Sequence, residues 1–150
     1  MSRSRAFRWT EQGIAGVCDD HQNECITMAL WNGKDPFLKD TLFGLSGGAS
    51  PQSGNHGEDV KELYYYLDNT PTHSYAKFLY KYPIGKFPYD EIRRENEKRT
   101  RKDPEFEITD TNAFDNGNYF DVFFEMAKSD EDEDEINFRI TAYNRSSSPA

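Results

Sequence analysis

Short apolar runs separated by turn residues dominate this chain, and one pair of them organises the rest. Residues 63–67 (LYYYL) and 75–82 (YAKFLYKY) are rich in aromatics, and Asn69-Thr70-Pro71-Thr72-His73 lies between them. Runs this short and this aromatic read as two strands paired through a turn. Residues 14–19 (IAGVCD) and 25–31 (CITMALW) flank Asn23 and Glu24 and predict a second hairpin. Residues 106–109 (FEIT) alternate and predict a strand. Residues 119–127 (YFDVFFEMA) are largely apolar on both faces, the mark of a central strand. In 136–144 (INFRITAYN), Ile136, Phe138, Ile140 and Ala142 fall on one face, which predicts a half-buried antiparallel strand. Helical spacing is best in 89–102 (YDEIRRENEKRTRK), where Asp90 is the candidate cap and Glu91 suits the positive end of the helix dipole. Its apolar face holds little beyond Tyr89 and Ile92, so the helix belongs at the surface.

The segments between these runs complete the picture. Asn32-Gly33-Lys34-Asp35-Pro36 is a strong turn signal, because the residue before proline is pushed toward extended backbone. Residues 37–45 (FLKDTLFGL) fit one or two helical turns or a loop with buried anchors. Residues 46–53 are small and polar, as in an exposed insertion, and Asn116-Gly117-Asn118 predicts a tight turn. Six or seven strands and one main helix make the chain mainly β. The expected architecture is an antiparallel β-sandwich with one surface helix and long loops. One domain is expected over residues 1–145, incomplete at its start, with a disordered tail over 146–150.

Composition refines this. Only 35% of residues are hydrophobic while 15% are aromatic, so the core leans on Phe and Tyr. Net charge is −9, and residues 130–135 (DEDEDE) supply six of the negative charges, which reads as a solvated loop. An acidic balance argues against a nucleic-acid partner. Cys18 and Cys25 are placed for a bridge across a hairpin, but one pair is few for a small secreted scaffold, and free thiols in a reducing compartment are the favoured reading. The sequence has no membrane-length apolar run and no secretory leader pattern, so cytoplasmic residence without a membrane partner is the expectation. His21, His56 and His73 lie in three separate turns without ligand spacing, and neither a metal nor another cofactor is expected.

Two stretches carry candidate chemistry. The glycine-punctuated loop Asn55–Asp59 offers a carboxamide, an imidazole and two carboxylates. Glu58 and Asp59 are sequence neighbours and point apart on extended backbone, so they make a poor acid and base pair. At the end of the second hairpin strand, Trp31 places an indole beside the amide of Asn32, a combination able to stack on sugar rings. The candidate contact residues are therefore Trp31, Asn32, Lys34, Asp35, Asn55, His56, Glu58, Asp59 and Lys61. Their expected role is bracing or contact with substrate or an adjoining domain, rather than catalysis.

Four segments add a resemblance: RAFRWTEQGIAGVCDD, ALWNGKDPFLKDTLFGL, GNHGEDVKELYYYLDNTPTHSYAKFLYKYP and DTNAFDNGNYFDVFFEMAK. In this order they resemble the N-terminal region of the glucosidase-like proteins of glycoside hydrolase family 63. NHGEDVKE and TPTHSY are the most specific parts. The resemblance implies a front β-sandwich domain that leans on a later (α/α)₆ barrel. Hydrolysis there inverts the anomeric carbon, and both the acid and the base come from the barrel. No counterpart of that pair lies in these residues, so no catalytic residue carries over. The implied partners are the barrel, normally in the same chain, and an oligosaccharide or α-glucoside substrate of the full-length enzyme. A stand-alone carbohydrate-binding or scaffold module is the competing expectation, and a complete small hydrolase using Glu58 or Asp59 is a third.

Overall fold

The computed structural model describes residues 13–18, 21, 23–46, 58–100, 102–132 and 134–150, with backbone alone at 46, 58 and 59. The strands in chain order are β1 (Ile14–Cys18), β2 (Cys25–Met28), β3 (Gly44–Ser46), β4 (Glu58–Val60), β5 (Leu63–Asn69), β6 (Tyr75–Pro83), β7 (Tyr119–Lys128) and β8 (Ile136–Asn144). Helix α1 spans Tyr89–Glu97. All strand pairing is antiparallel. A four-stranded sheet runs in the order β5-β6-β7-β8, and β1-β2 and β3-β4 form two-stranded ribbons. The fold is thus mainly β, as the short runs predict. The described residues hold eight strands rather than six or seven, because β3 and β4 come from segments read as loop.

The aromatic strands pack through strand periodicity. On β6, Ala76, Phe78, Tyr80 and Tyr82 are buried, while Lys77, Leu79 and Lys81 point the other way. Val122, Phe124 and Met126 of β7 continue that face, and Ile14, Ala15 and Met28 of the β1-β2 ribbon cover it. A fully buried Phe or Met side chain contributes about 1.5–3 kcal/mol. A register shift between Ile14 and Val17 takes the Ala15 N–H out of the ladder, and the Tyr64 hydroxyl accepts it at 2.9 Å. The opposite face of the sheet is ionic. Lys81 and Arg145 both bond the Asp121 carboxylate at 2.6 Å, and Arg139 and the Tyr75 hydroxyl bond Glu125. Burial pushes the Asp121 carboxyl up, but Lys81 and Arg145 together outweigh it and hold the group below the usual carboxylate range. Strand β7 is central as expected, yet Asp121 and Glu125 make its second face a mixed one.

A smaller cluster joins Phe87, Tyr89, Ile92 and Ile108 to the partly buried Phe43, Leu45, Leu63 and Phe106. Several local expectations are corrected around it. Pro88, not Asp90, occupies the N-cap of α1, and Asp90 and Glu91 lie inside the first turn. The helix ends at Glu97 rather than reaching 102, because the Asp103 carboxylate collects both the N–H and the hydroxyl of Thr100 at 2.8 Å. Asn96 is buried, which the helix pattern did not predict. Its amide bonds the Phe106 carbonyl at 2.8 Å and its oxygen accepts the Phe106 N–H at 3.0 Å. Residues 106–109 are therefore not a strand. Phe106 spends its backbone groups on a helix side chain, and a 3₁₀ turn follows at Ile108–Asp110.

Residues 37–45 contain no helical turn. Leu30 and Lys39 exchange backbone hydrogen bonds at 2.8 and 2.7 Å, and the segment ends in β3. Cys18 and Cys25 form a disulfide, which overturns the free-thiol expectation. They are direct partners across the β1-β2 ladder with Cα atoms 4.3 Å apart, so pairing alone brings the sulfurs together. Strand β8 has the expected bounds and faces, but it is exposed along nearly all its length rather than half-buried, because the covering ribbon packs over β6 and β7. Just past β8 the Arg145 N–H bonds the Tyr119 carbonyl at 3.0 Å, and the Asn144 amide bonds the Ser148 carbonyl at 2.7 Å. Gly117, at φ +72°, permits this, since a Cβ there would lie 2.6 Å from the Arg145 carbonyl oxygen. No helix among the described residues is long and apolar enough to cross a membrane.

Candidate functional site

The sequence stretch NGKDPFL becomes a rigid loop at the end of the β1-β2 ribbon. The Asn32 side-chain oxygen accepts the N–H groups of Lys34 and Asp35 at 3.0 and 2.9 Å, folding residues 32–35 into a turn. Gly33 occupies the left-handed position of that turn, at φ +75°. The Asn32 amide donates to the carbonyls of Pro83 and Gly85 at 2.9 and 2.8 Å and so ties the loop to the end of β6. Asp35 is buried. Its carboxylate accepts the Tyr82 hydroxyl at 2.6 Å and the Phe87 N–H at 2.7 Å. The Trp31 indole donates to the Asp35 carbonyl at 3.0 Å, while the side chain as a whole remains 62% exposed. Phe37 and Leu38, two and three residues further on, are 54% and 56% exposed. A fixed loop thus presents three large apolar side chains to solvent.

Beneath this loop lies a buried ion pair that the sequence reading missed. Lys39 is 1% exposed, and its ammonium meets a Glu62 carboxylate oxygen at 2.6 Å. The same ammonium lies over the rings of Phe87 and Tyr89, at 4.1 and 4.6 Å from their centroids. Glu62 also accepts the Tyr80 hydroxyl at 2.7 Å and the Phe43 N–H. Burial pushes the Glu62 carboxyl up, and Lys39, Tyr80 and Phe43 oppose that shift. Burial, together with the neighbouring Glu62 charge and its hydrogen bond, raises the Tyr80 hydroxyl well above its ordinary value. The group ties loop, sheet and small cluster together, and both Glu62 carboxylate oxygens are engaged, whereas the buried Tyr89 hydroxyl has no hydrogen-bond partner. One signal was present in the sequence: strand alternation turns Tyr80 inward, and a buried phenol needs a partner. Nothing local in Lys39 or in Lys61-Glu62, by contrast, signals burial.

The other predicted residues do not join the loop into one constellation. Asn55 and His56 lie outside the described residues. Glu58 and Asp59 belong to β4, pairing with Ser46 and Leu45, so the expected loop gives way to strand at its C-terminal end. Lys61 is buried, not a surface contact, and its ammonium meets Glu105 and Glu107 at 3.0 and 2.8 Å. Lys34 is exposed and borders a cleft of about 450 Å³ shared with Lys86, Glu91, Asn112 and Asn118. A second cleft, of about 780 Å³, opens under the disulfide end of the β1-β2 ribbon, where His21 and His73 rim a floor that includes Phe78 and Met126. No group of three or more His, Cys, Asp or Glu among the described residues could hold a metal ion.

No family model matches the chain, and no solved structure matches it. The chain is similar to Uncharacterized protein YMR196W of Saccharomyces cerevisiae, 58% identical over 153 residues. That alignment takes in 97% of this chain and 14% of the yeast protein, so the chain spans about one-seventh of the length of the relative it matches.

Proposed function

We propose that this chain is a non-catalytic β-sandwich domain of an inverting α-glucosidase-like glycoside hydrolase, and that its 31–38 loop packs against the catalytic barrel. The observation that carries the docking role is the loop itself. Trp31, Phe37 and Leu38 are three exposed apolar side chains on a loop whose backbone Asn32 and Asp35 fix. Rigid apolar side chains at a surface are the usual anchors of an interface, because little conformational entropy is lost when they are covered. The segment resemblance supplies the hydrolase class. The share of the yeast relative covered, 14%, supports a setting in which most of the polypeptide lies outside this domain.

The non-catalytic assignment rests on the carboxylates. Asp35 and Glu62 are buried and saturated with hydrogen bonds, and Asp121 and Glu125 are held in ion pairs. All four are therefore taken up by partners inside the fold rather than offered as an acid and a base to a glycosidic bond. Incubated with nitrophenyl α-glucoside or an α-linked glucose disaccharide, the 150 residues alone are expected to release no glucose. Turnover that disappears in Glu58→Gln would overturn the assignment.

A further inference from the structure

We infer that β8 is a docking edge for an extended polypeptide strand with basic residues at its C-terminal end. Strand β8 is the outer strand of the four-stranded sheet, and among the described strands it pairs with β7 alone. Its nine residues keep an unbroken register from Phe120↔Asn144 to Lys128↔Ile136, with neither bulge nor proline. The opposite edge, β5, differs: its register shifts between Tyr66 and Asp68. Proteins blunt sheet edges with bulges, prolines and lysines, since an unbroken edge is a template for another strand. Strand β8 has none of these, and Arg139, its one cation, is engaged by Glu125.

The side chains specify the partner. Ile136, Phe138 and Ile140 lie on the face that Met126 and Phe124 bury, yet they are 42%, 38% and 56% exposed. An added strand with alternating apolar residues would continue that face beside them and shield their outer flanks, in the manner of strand addition to a sheet edge. Every pairing in the sheet is antiparallel, and charge then says which end of an added antiparallel strand is basic. The run at 130–135 carries six carboxylates, and the Ser129 N–H closes onto the Glu135 carbonyl at 3.0 Å, so the turn sits directly before Ile136. A strand added antiparallel to β8 brings its C-terminal end to that turn, where lysines or arginines meet the carboxylates.

The test is a fluorescence-anisotropy titration of the 150-residue chain. The probe is a labelled peptide of about nine alternating valines and threonines, matched in length to β8 and closed at its C-terminus by lysines. Saturable binding is expected, weakening about fivefold or more between roughly 0.05 and 0.3 M salt. Ile140→Lys should weaken it about tenfold, by placing a charge on the edge. The reversal Glu131→Lys with Asp132→Lys, in an exposed turn, should weaken it without touching the sheet. No saturable binding at millimolar peptide would overturn the inference. So would equal binding of a glutamate-ended peptide, or a chain that dimerises through β8 in sedimentation and ignores the peptide.

Discussion

Lys39→Met is expected to lower the free energy of unfolding by about 3–5 kcal/mol, a fall in Tm of roughly 10 °C for a domain of this size. The substitution keeps the apolar stem that packs on Phe87 and Tyr89, so the loss is of charge rather than volume. What remains is a Glu62 carboxylate with a fully buried side chain and no counter-ion. Its hydrogen bonds from Tyr80 and Phe43 do not offset that burial. Adding Glu62→Gln to Lys39→Met should recover more than half of the loss, because the neutral amide oxygen still accepts a hydrogen bond and no charge is stranded. Urea unfolding of the single and double variants checks this. A single-variant cost below about 1 kcal/mol would mean that water reaches the pair.

Asp35→Ala is the second large effect, at about 3 kcal/mol. Hydrogen bonds to charged groups are worth about 1.5–3 kcal/mol each, and this change strands the Tyr82 hydroxyl and the Phe87 N–H in the interior. Asp35→Asn should cost less, since its carboxamide oxygen can still accept the Phe87 N–H. The contrast with Trp31, four residues earlier, makes the measurement informative. Trp31→Ala removes an exposed side chain and should leave unfolding within about 0.5 kcal/mol of the parent. Two residues read together from sequence as contact candidates therefore divide, one into a buried brace and one into an exposed side chain. An Asp35→Ala variant as stable as the parent would put the carboxylate at the surface.

The strands were legible because their signals are local. Alternation in residues 75–82 and 136–144 and the turn residues around 69–73 and 116–118 give both boundaries and faces. What failed depends on distant partners. The FEIT run alternates like a strand, but Asn96, ten residues earlier, takes its backbone groups. Strand β8 has a regular apolar face, yet whether anything covers it depends on where the β1-β2 ribbon packs. Cys18 and Cys25 gave their spacing but not their register, and only register makes them direct neighbours. Lys39 and Glu62 were invisible for the same reason: 23 residues separate them, and each alone reads as solvated. Of the candidate site, the turn chemistry of Asn32 and Gly33 was readable, whereas the burial of Asp35 and Lys61 was not.

The proposed docking role of the 31–38 loop is tested most directly by placing Trp31→Ala with Phe37→Ala in a longer polypeptide that joins this domain to the proposed hydrolase barrel. In the 150 residues alone, the pair of changes should lower melting only by the lost ring contact of Phe37 with Tyr89, at 5.2 Å between centroids, since both residues are otherwise more than half exposed. In the longer protein, the account predicts that they lower the melting temperature and impair α-glucoside hydrolysis together, as an interface loses its anchors. Unchanged melting and unchanged kinetics in that setting would contradict it.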